Sequence, residues 1–230
     1  MRVAAVIPAL DEAATIAAVV TDVRAQGIDR VVVVDGGSGD GTVAAARACG
    51  AEVVIEPRRG YGRACMAGAR RAMASTESGA GAEVVVFLDG SGAAVAADLP
   101  DLIAPIVASQ ADLVLGKRRG AGVEAGALRP LQRLGNHIAT WMIAARYGHR
   151  YADLGSPRAI RSDALRRLEL RESHHGWPVE MQVEALRRGL RVAEVAVRYR
   201  RRRGGRSKVS GSLAGSWRAG RAILRVVWTR

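Results

Sequence analysis

Two stretches of the chain end in the same way, and that ending decides most about what it can fold into. Val31-Val-Val-Val34 stops at Asp35, and Val84-Val-Val-Phe-Leu88 stops at Asp89; glycine follows each carboxylate at once. An unbroken β-branched run of this kind reads as a strand buried on both faces, the mark of a mostly parallel sheet covered by helices. In such sheets ligands gather at the carboxyl ends of the strands. Asp35 and Asp89 are therefore expected at one edge of the sheet, on adjacent strands, facing a common ligand. A single strand-end Asp is as well explained by a turn, so the case rests on the pair and on its surroundings.

The surroundings describe a doubly wound α/β chain. Val3 to Ile7 reads as the first strand, closed by Pro8. A helix with Asp11 as N-cap runs through Arg24 and stops at Gly27. The strand ending at Asp35 leads into Gly36-Gly-Ser-Gly-Asp40-Gly-Thr42 and a second helix that ends at Gly50. Ala51 to Ile55 is a third strand, and a helix follows Gly60-Tyr61-Gly62 to about Ser75. Beyond Asp89, Ala111 to Leu115 reads as a strand entering Gly116-Lys117-Arg118-Arg119. Pro130 to Tyr147 is a helix carrying Leu131, Leu134, Ile138, Trp141 and Ala145 on one stripe. The segment from His174 opens a helix through Arg188, and Leu190 to Tyr199 alternates as an edge strand. The glycine-rich loop after Asp35 fits neither G-x-G-x-x-G nor the P-loop with its lysine, which excludes both readings.

Charge separates the chain into a body and a tail. The net charge is +13, yet residues 198–230 hold eleven Arg/Lys and no Asp/Glu, against 24 basic and 22 acidic residues in 1–197. A neutral body without a recognised nucleic-acid module argues against nucleic acid as the partner. Residues 1–211 are read as one domain and 212–230 as a basic amphipathic helix, with Leu213, Trp217, Leu224, Val227 and Trp228 on one face. Arg218, Arg221 and Arg225 form a stripe beside it. Such a pattern suits an interfacial helix on anionic lipid, or else a helix packed on the body. Cys49 and Cys65 lack ligand or CxxC spacing and read as thiols in a reducing compartment. The chain enters a strand at once and holds no long apolar run, so the expectation is a cytoplasmic protein peripheral on the inner membrane face.

Ile7-Pro8-Ala-Leu10-Asp11-Glu12, Val-Val-Asp35-Gly-Gly-Ser-Gly-Asp40-Gly-Thr42, Gly60-Tyr-Gly and Phe-Leu-Asp89 together resemble family 2 glycosyltransferases of the GT-A fold. Within that family the resemblance is to dolichol- or polyprenol-phosphate sugar synthases. It implies a nucleotide-sugar donor, UDP- or GDP-linked, across the strand ends. Pro8, Leu10, Glu12 and Gly60 would line the nucleotide pocket, Asp35 would meet the base, and Asp89 would be the first acid of a D-x-D element. The acceptor implied is a polyprenyl phosphate.

The chain departs from the family at Ser91, where a second carboxylate is expected. A hard divalent cation, Mg²⁺ or Mn²⁺, prefers anionic oxygen. Three readings stand: a metal held weakly by Asp89 and the donor's phosphates, cationic side chains in its place, or lost activity. By resemblance Arg118, Arg202, Ser207 and Lys208 are the phosphate-binding candidates, Arg202 on a mobile basic loop. Asp153 and Arg158 belong to the acceptor-side segment, and Trp177 and Glu180 lie near the sugar. A phosphate acceptor is already ionised near neutrality, its second pKa being about 6, and needs no strong protein base. A hydroxyl acceptor would need one, with Asp153 or Glu180 the candidate. His174 and His175 have no third ligand at metal spacing and read as a solvated loop.

Overall fold

The computed structural model describes residues 1–76, 79–204 and 225–229. Its first half is built by the apolar runs. β1 (Val3–Ala9), β2 (Arg30–Asp35), β3 (Glu52–Ile55) and β4 (Val84–Phe87) lie side by side and parallel. Period-two alternation distributes their side chains between two cores. Ala4, Val6, Val32, Val34, Val85 and Phe87 meet α3 (Tyr61–Met73) on one face. Ala5, Ile7, Val31, Val33, Val84 and Val86 meet α1 (Ala13–Arg24) on the other. The short α2 (Thr42–Ala48) follows the glycine-rich loop. One expectation is corrected at the sheet edge. β1 lies between β2 and β4, so Asp35 and Asp89 do not end adjacent strands; Ala9 stands beside Asp35 in the register.

The start of α1 also differs from the sequence reading. Asp11 takes φ +50° and Glu12 occupies the N-cap position. The first turn is capped from the glycine-rich loop instead: Asp40 accepts from the Ala13 N–H at 3.1 Å, and Thr42 Oγ1 accepts from the Glu12 N–H at 2.8 Å. Two loops that are distant in sequence thus brace each other at the strand ends.

The second half contributes α4 (Leu99–Val107), β5 (Leu113–Lys117), α5 (Pro130–Tyr147), β6 (Arg158–Arg161), α6 (Ser162–Arg167), α7 (Trp177–Arg187) and β7 (Val192–Ala196). The sheet order is β3-β2-β1-β4-β6-β5-β7, and β6 alone runs against the others. This inserted reverse strand escapes the sequence reading, because Arg-Ala-Ile-Arg is too short and too charged to show a period. It matters for the site, since it carries Arg158 to the edge beside Phe87. The sheet is mixed α/β and mostly parallel, as expected, with β7 at an edge.

After β7 the chain crosses the strand ends from residue 197 to 204. The Arg200 N–H donates to the Ala93 carbonyl at 2.8 Å, and the Arg203 N–H to that of Ser91 at 3.2 Å. The arginines of this run are not simply solvated. Arg198 pairs with Asp98, Arg201 with Glu124, Arg202 with Glu12 and Arg203 with Asp22, at 2.6, 3.5, 2.6 and 2.9 Å. The Arg201 and Arg203 pairs are exposed and contribute at most about 1 kcal/mol each, so their role is placement rather than stability. Residues 225–229 form a helical turn whose Val226 and Val227 are buried in the main core while Arg225 reaches Glu172 at 3.1 Å. The expectation that Val227 faces lipid is therefore corrected; at this turn the helix packs on the body. The rest of the expected 212–230 helix, with Ser207 and Lys208, lies outside the described residues.

Candidate active site

Four loops meet at the carboxyl edge of the parallel strands: 10–12 after β1, 36–42 after β2, 56–60 after β3 and 88–94 after β4. Asp35 is buried, and its Oδ2 accepts from the N–H groups of Gly37 and Ser38, both at 3.0 Å. Its Oδ1 is buried and has no donor among the described residues. A buried carboxylate oxygen without a partner is costly, which makes this atom a built acceptor for a ligand's N–H. Glu12 is also buried, and both of its carboxylate oxygens accept from Arg202 Nη2, at 2.6 and 2.8 Å. Pro8, near the end of β1, and Leu10, just past it, are half-buried. The expected nucleotide-binding residues are thus gathered at one edge, and Arg202 joins them from 190 residues away.

Asp89 sits half-buried just past β4, with the Tyr61 hydroxyl donating to its Oδ1 at 3.2 Å. Burial, then the Asp89 charge, push the Tyr61 pKa up, so the phenol stays a donor. Beneath them lies Arg158, fully buried. Its guanidinium donates to the carbonyls of Pro178, Leu154 and Gly155 at 2.9, 3.0 and 2.8 Å and lies 6.0 Å from the Trp177 ring centroid. Among the described residues no carboxylate lies in salt-bridge contact with it. Burial lowers its pKa, opposed by Tyr61, Cys65 and Asp89. Arg158 is thus a fixed positive charge behind Asp89, held by backbone carbonyls rather than by an acid.

Gly60 and Gly62 are where they are because another loop lies on them. A Cβ at Gly62 would stand 2.1 Å from the Glu172 carbonyl oxygen, and one at Gly60 2.3 Å from that of Ser173. Glu180 holds that loop in place: its Oε2 accepts from the N–H groups of Arg171 and Glu172 at 3.0 and 2.7 Å. Trp177 is buried against Phe87, with ring centroids 4.9 Å apart. Glu180 and Trp177, expected near the sugar, therefore act from below the Tyr61 loop. His174 and His175 lie in the loop before α7, His174 exposed and His175 half-buried with its ring 6.0 Å from that of Tyr61.

On the β5 side Arg118 and Asp153 form a buried bidentate pair. Arg118 Nε donates to Oδ2 at 2.7 Å and Nη2 to Oδ1 at 2.9 Å, and the Arg118 backbone N–H adds a third bond to Oδ2 at 2.9 Å. Burial works against the Asp153 carboxylate, but the Arg118 hydrogen bonds and charge outweigh it and hold its pKa below the usual range. Burial likewise opposes the Arg118 charge, and Asp153 overrides it. The guanidinium lies against Gly155, where a Cβ would come within 1.9 Å of it, and 5.0 Å from the Tyr199 ring centroid. Beside this pair opens a cavity of about 290 Å³, whose lining includes Arg119, Gln132, Arg133 and Asn136. Asp153, the candidate base for a hydroxyl acceptor, and Arg118, the phosphate-binding candidate, are each other's first partner.

Residues 4–173 match the model of glycosyl transferase family 2. The chain belongs to that family. It is 39% identical over 215 residues to an uncharacterized glycosyltransferase of Mycobacterium tuberculosis, spanning 93% of this chain and 92% of the relative. It is 30% identical to the undecaprenyl-phosphate mannosyltransferase of Micrococcus luteus, over 94% of this chain and 90% of that one. Among solved structures it resembles glucosyl-3-phosphoglycerate synthase of M. tuberculosis, crystallised with Mn²⁺, UDP and glucosyl-3-phosphoglycerate. The TM-score is 0.75 at 23% identity, covering 99% of this chain and 78% of that one. The fold is therefore GT-A and the protein is a glycosyltransferase. Tyr61, which sequence reasoning left without a role inside Gly60-Tyr-Gly, is the part of this glycosyltransferase site it passed over. Its one signal was an aromatic hydroxyl flanked by glycines opposite a strand-end acid.

Proposed function

We propose that this glycosyltransferase moves a hexose from a UDP- or GDP-linked donor to a polyprenyl phosphate or a similar lipid-linked phosphate, with inversion. The observation that carries the acceptor class is the state of the carboxylates. Asp153 is tied to Arg118 and has a lowered pKa, and Glu180 is tied to backbone amides, so neither is placed as a strong base for a hydroxyl. A phosphate monoester arrives largely ionised. Its oxygen attacks the anomeric carbon as the bond from that carbon to the donor's β-phosphate oxygen breaks, and the nucleoside diphosphate leaves with the electron pair. The protein's part is to hold two anions together and stabilise the leaving diphosphate. Arg119 and Arg133, lining the cavity beside the Arg118–Asp153 pair, supply positive charge on the acceptor side. The likeness to the undecaprenyl-phosphate mannosyltransferase supports the lipid.

The residues present fit a divalent ion shared with the donor. No group of three His, Cys, Asp or Glu side chains that could hold a metal occurs among the described residues. Mg²⁺ is commonly held by one or two carboxylates together with substrate phosphates, and Asp89 can supply one carboxylate. The Mn²⁺ in the crystallised synthase supports the same assignment. Such an ion would supply charge for the departing diphosphate. Ser91 is buried two residues after Asp89, so Ser91→Asp is expected to lower the metal concentration for half-maximal turnover on the order of tenfold. A metal titration checks this, and chelator-insensitive transfer by the wild type would remove the ion and leave the arginines alone.

Arg202 now holds Glu12 at the nucleotide edge, and a loop that closes over both substrates acts chiefly in turnover. Arg202→Ala is expected to reduce kcat more than donor affinity. Equal loss of both would make Arg202 a simple donor ligand. The function itself is tested by incubating the enzyme with UDP- and GDP-sugars, polyprenyl phosphate, and phosphoglycerate as a water-soluble phosphate acceptor. Transfer only to phosphoglycerate would sink the lipid assignment; donor binding without transfer to either would make this a non-catalytic relative.

A further inference from the structure

On the reading above, Asp89 is the single carboxylate offered to the ion, since position 91 holds serine. A lone acid turns about its side-chain bonds, and a ligand that needs it in one orientation loses affinity to that freedom. Asp89 is not left to turn. The Tyr61 hydroxyl donates to its Oδ1 at 3.2 Å, and among the described residues no other donor reaches the carboxylate. Oδ2 is thereby the oxygen left for a ligand.

Tyr61 is itself held from two directions. Its ring meets those of His175 and Trp177, at 6.0 and 6.3 Å between centroids. The backbone of α3's first turn is closed by the segment 172–176. There the Arg63 N–H donates to the Ser173 carbonyl at 3.1 Å, in the contact that leaves Gly60 and Gly62 no room for a Cβ. Glu172 fixes that segment: its Oε1 accepts from the His174 N–H at 3.0 Å and its Oε2 from Arg225 at 3.1 Å. Val226 is buried beside it, and the Tyr147 hydroxyl donates to the Val227 carbonyl at 3.3 Å. The turn at 225–229 thus stands behind the segment that stands behind Tyr61. Packing alone would be met by a phenylalanine; the hydroxyl is aimed at an acid.

We propose that Tyr61 is a positioning residue for the donor: its hydroxyl holds Asp89 Oδ1 so that Oδ2 faces the diphosphate and its divalent ion, supplying the order that a second acid at position 91 would bring. This part for Tyr61 rests on Asp89 being the ion's ligand and names the residue that aims it. Groups that hydrogen-bond a metal-ligating carboxylate typically carry about tenfold to 100-fold of the metal affinity. The hydroxyl acts through Asp89 alone, so its removal falls on the ion-dependent share of nucleotide binding and spares the rest.

The test is titration calorimetry of the full chain with UDP and with GDP, each with and without Mn²⁺, on the wild type and Tyr61→Phe. The phenylalanine keeps the ring beside His175 and Trp177 and removes the hydroxyl. Mn²⁺ is expected to tighten nucleotide binding by the wild type. Tyr61→Phe is expected to lose on the order of tenfold of that gain, with metal-free affinity within about twofold of the wild type. Ser91→Asp in the Tyr61→Phe background is expected to restore most of the loss, because a second carboxylate binds the ion without help from Tyr61. A variant that gains as much from Mn²⁺ as the wild type would overturn the role of Tyr61 and leave the ion standing. Equal losses with and without Mn²⁺ would overturn it too, by assigning Tyr61 to the packing of the pocket, as would a double variant that recovers nothing. Wild-type affinity that ignores Mn²⁺ would strike the shared ion, and the role of Tyr61 with it.

Discussion

Arg118→Ala is expected to lower folding stability by about 3–5 kcal/mol, the usual cost of leaving one member of a buried ion pair without the other. The reason is geometric. Asp153 receives three bonds from Arg118, two from the guanidinium and one from the backbone N–H, and the first two vanish together. A urea titration checks it through the midpoint at constant slope. Arg118→Met with Asp153→Leu, which removes both charges, should recover much of the loss. A double variant as unstable as the single one would show that packing over Gly155, not charge, sets the cost. The pair also has a pH signature. The folded-state pKa of Asp153 lies below its unfolded value, so its contribution is fully present above about pH 4 and is lost as pH falls further through the folded-state pKa. The double variant should lack that part of the acid-side decline.

Asp35→Ala is expected to weaken nucleotide binding by about 1–3 kcal/mol, roughly fivefold to 150-fold. Oδ1 is the atom at issue, since it is buried and has no donor within the described protein. Oδ2 has a separate task, accepting from Gly37 and Ser38 to shape the loop. The variant therefore carries two effects, and titration calorimetry with UDP and GDP must be read beside its thermal unfolding. Affinity that falls only as far as the fold is loosened would assign Asp35 to the loop. Unchanged affinity would take it out of the site.

The first four strands and the acids at their ends were legible because the fold and its strand-end polar groups share one signal. A hydrophobic run that stops at Asp35 or Asp89 announces both a buried strand and a polar group at its end. The second half of the chain carries no such coincidence. β6 has four residues, two of them arginine, and its meaning comes from pairing with β4 and β5 across the sequence. The roles of Asp153 and Glu180 depend on what stands within 3 Å of them, which local pattern does not encode. The stripe on α5 was visible as a pattern, yet periodicity marks a face without saying whether core or solvent meets it. The ion pairs of the basic run after β7 could not be read from the sequence because its acids, at 12, 22, 98 and 124, are scattered through the body.

Those scattered acids set the order in which the molecule can be completed during synthesis. Glu12 and Asp22 leave the ribosome among the first residues, but Arg202 and Arg203 follow only 190 and 181 positions later. Until then a growing chain can pair β1 with β2 and β4, yet the edge at the strand ends lacks the segment that crosses it. Contacts of such separation close late and slowly, since the intervening loop must be ordered first. A nascent chain halted before residue 197 therefore holds the strand-end acids of a transferase without the arginines that engage them.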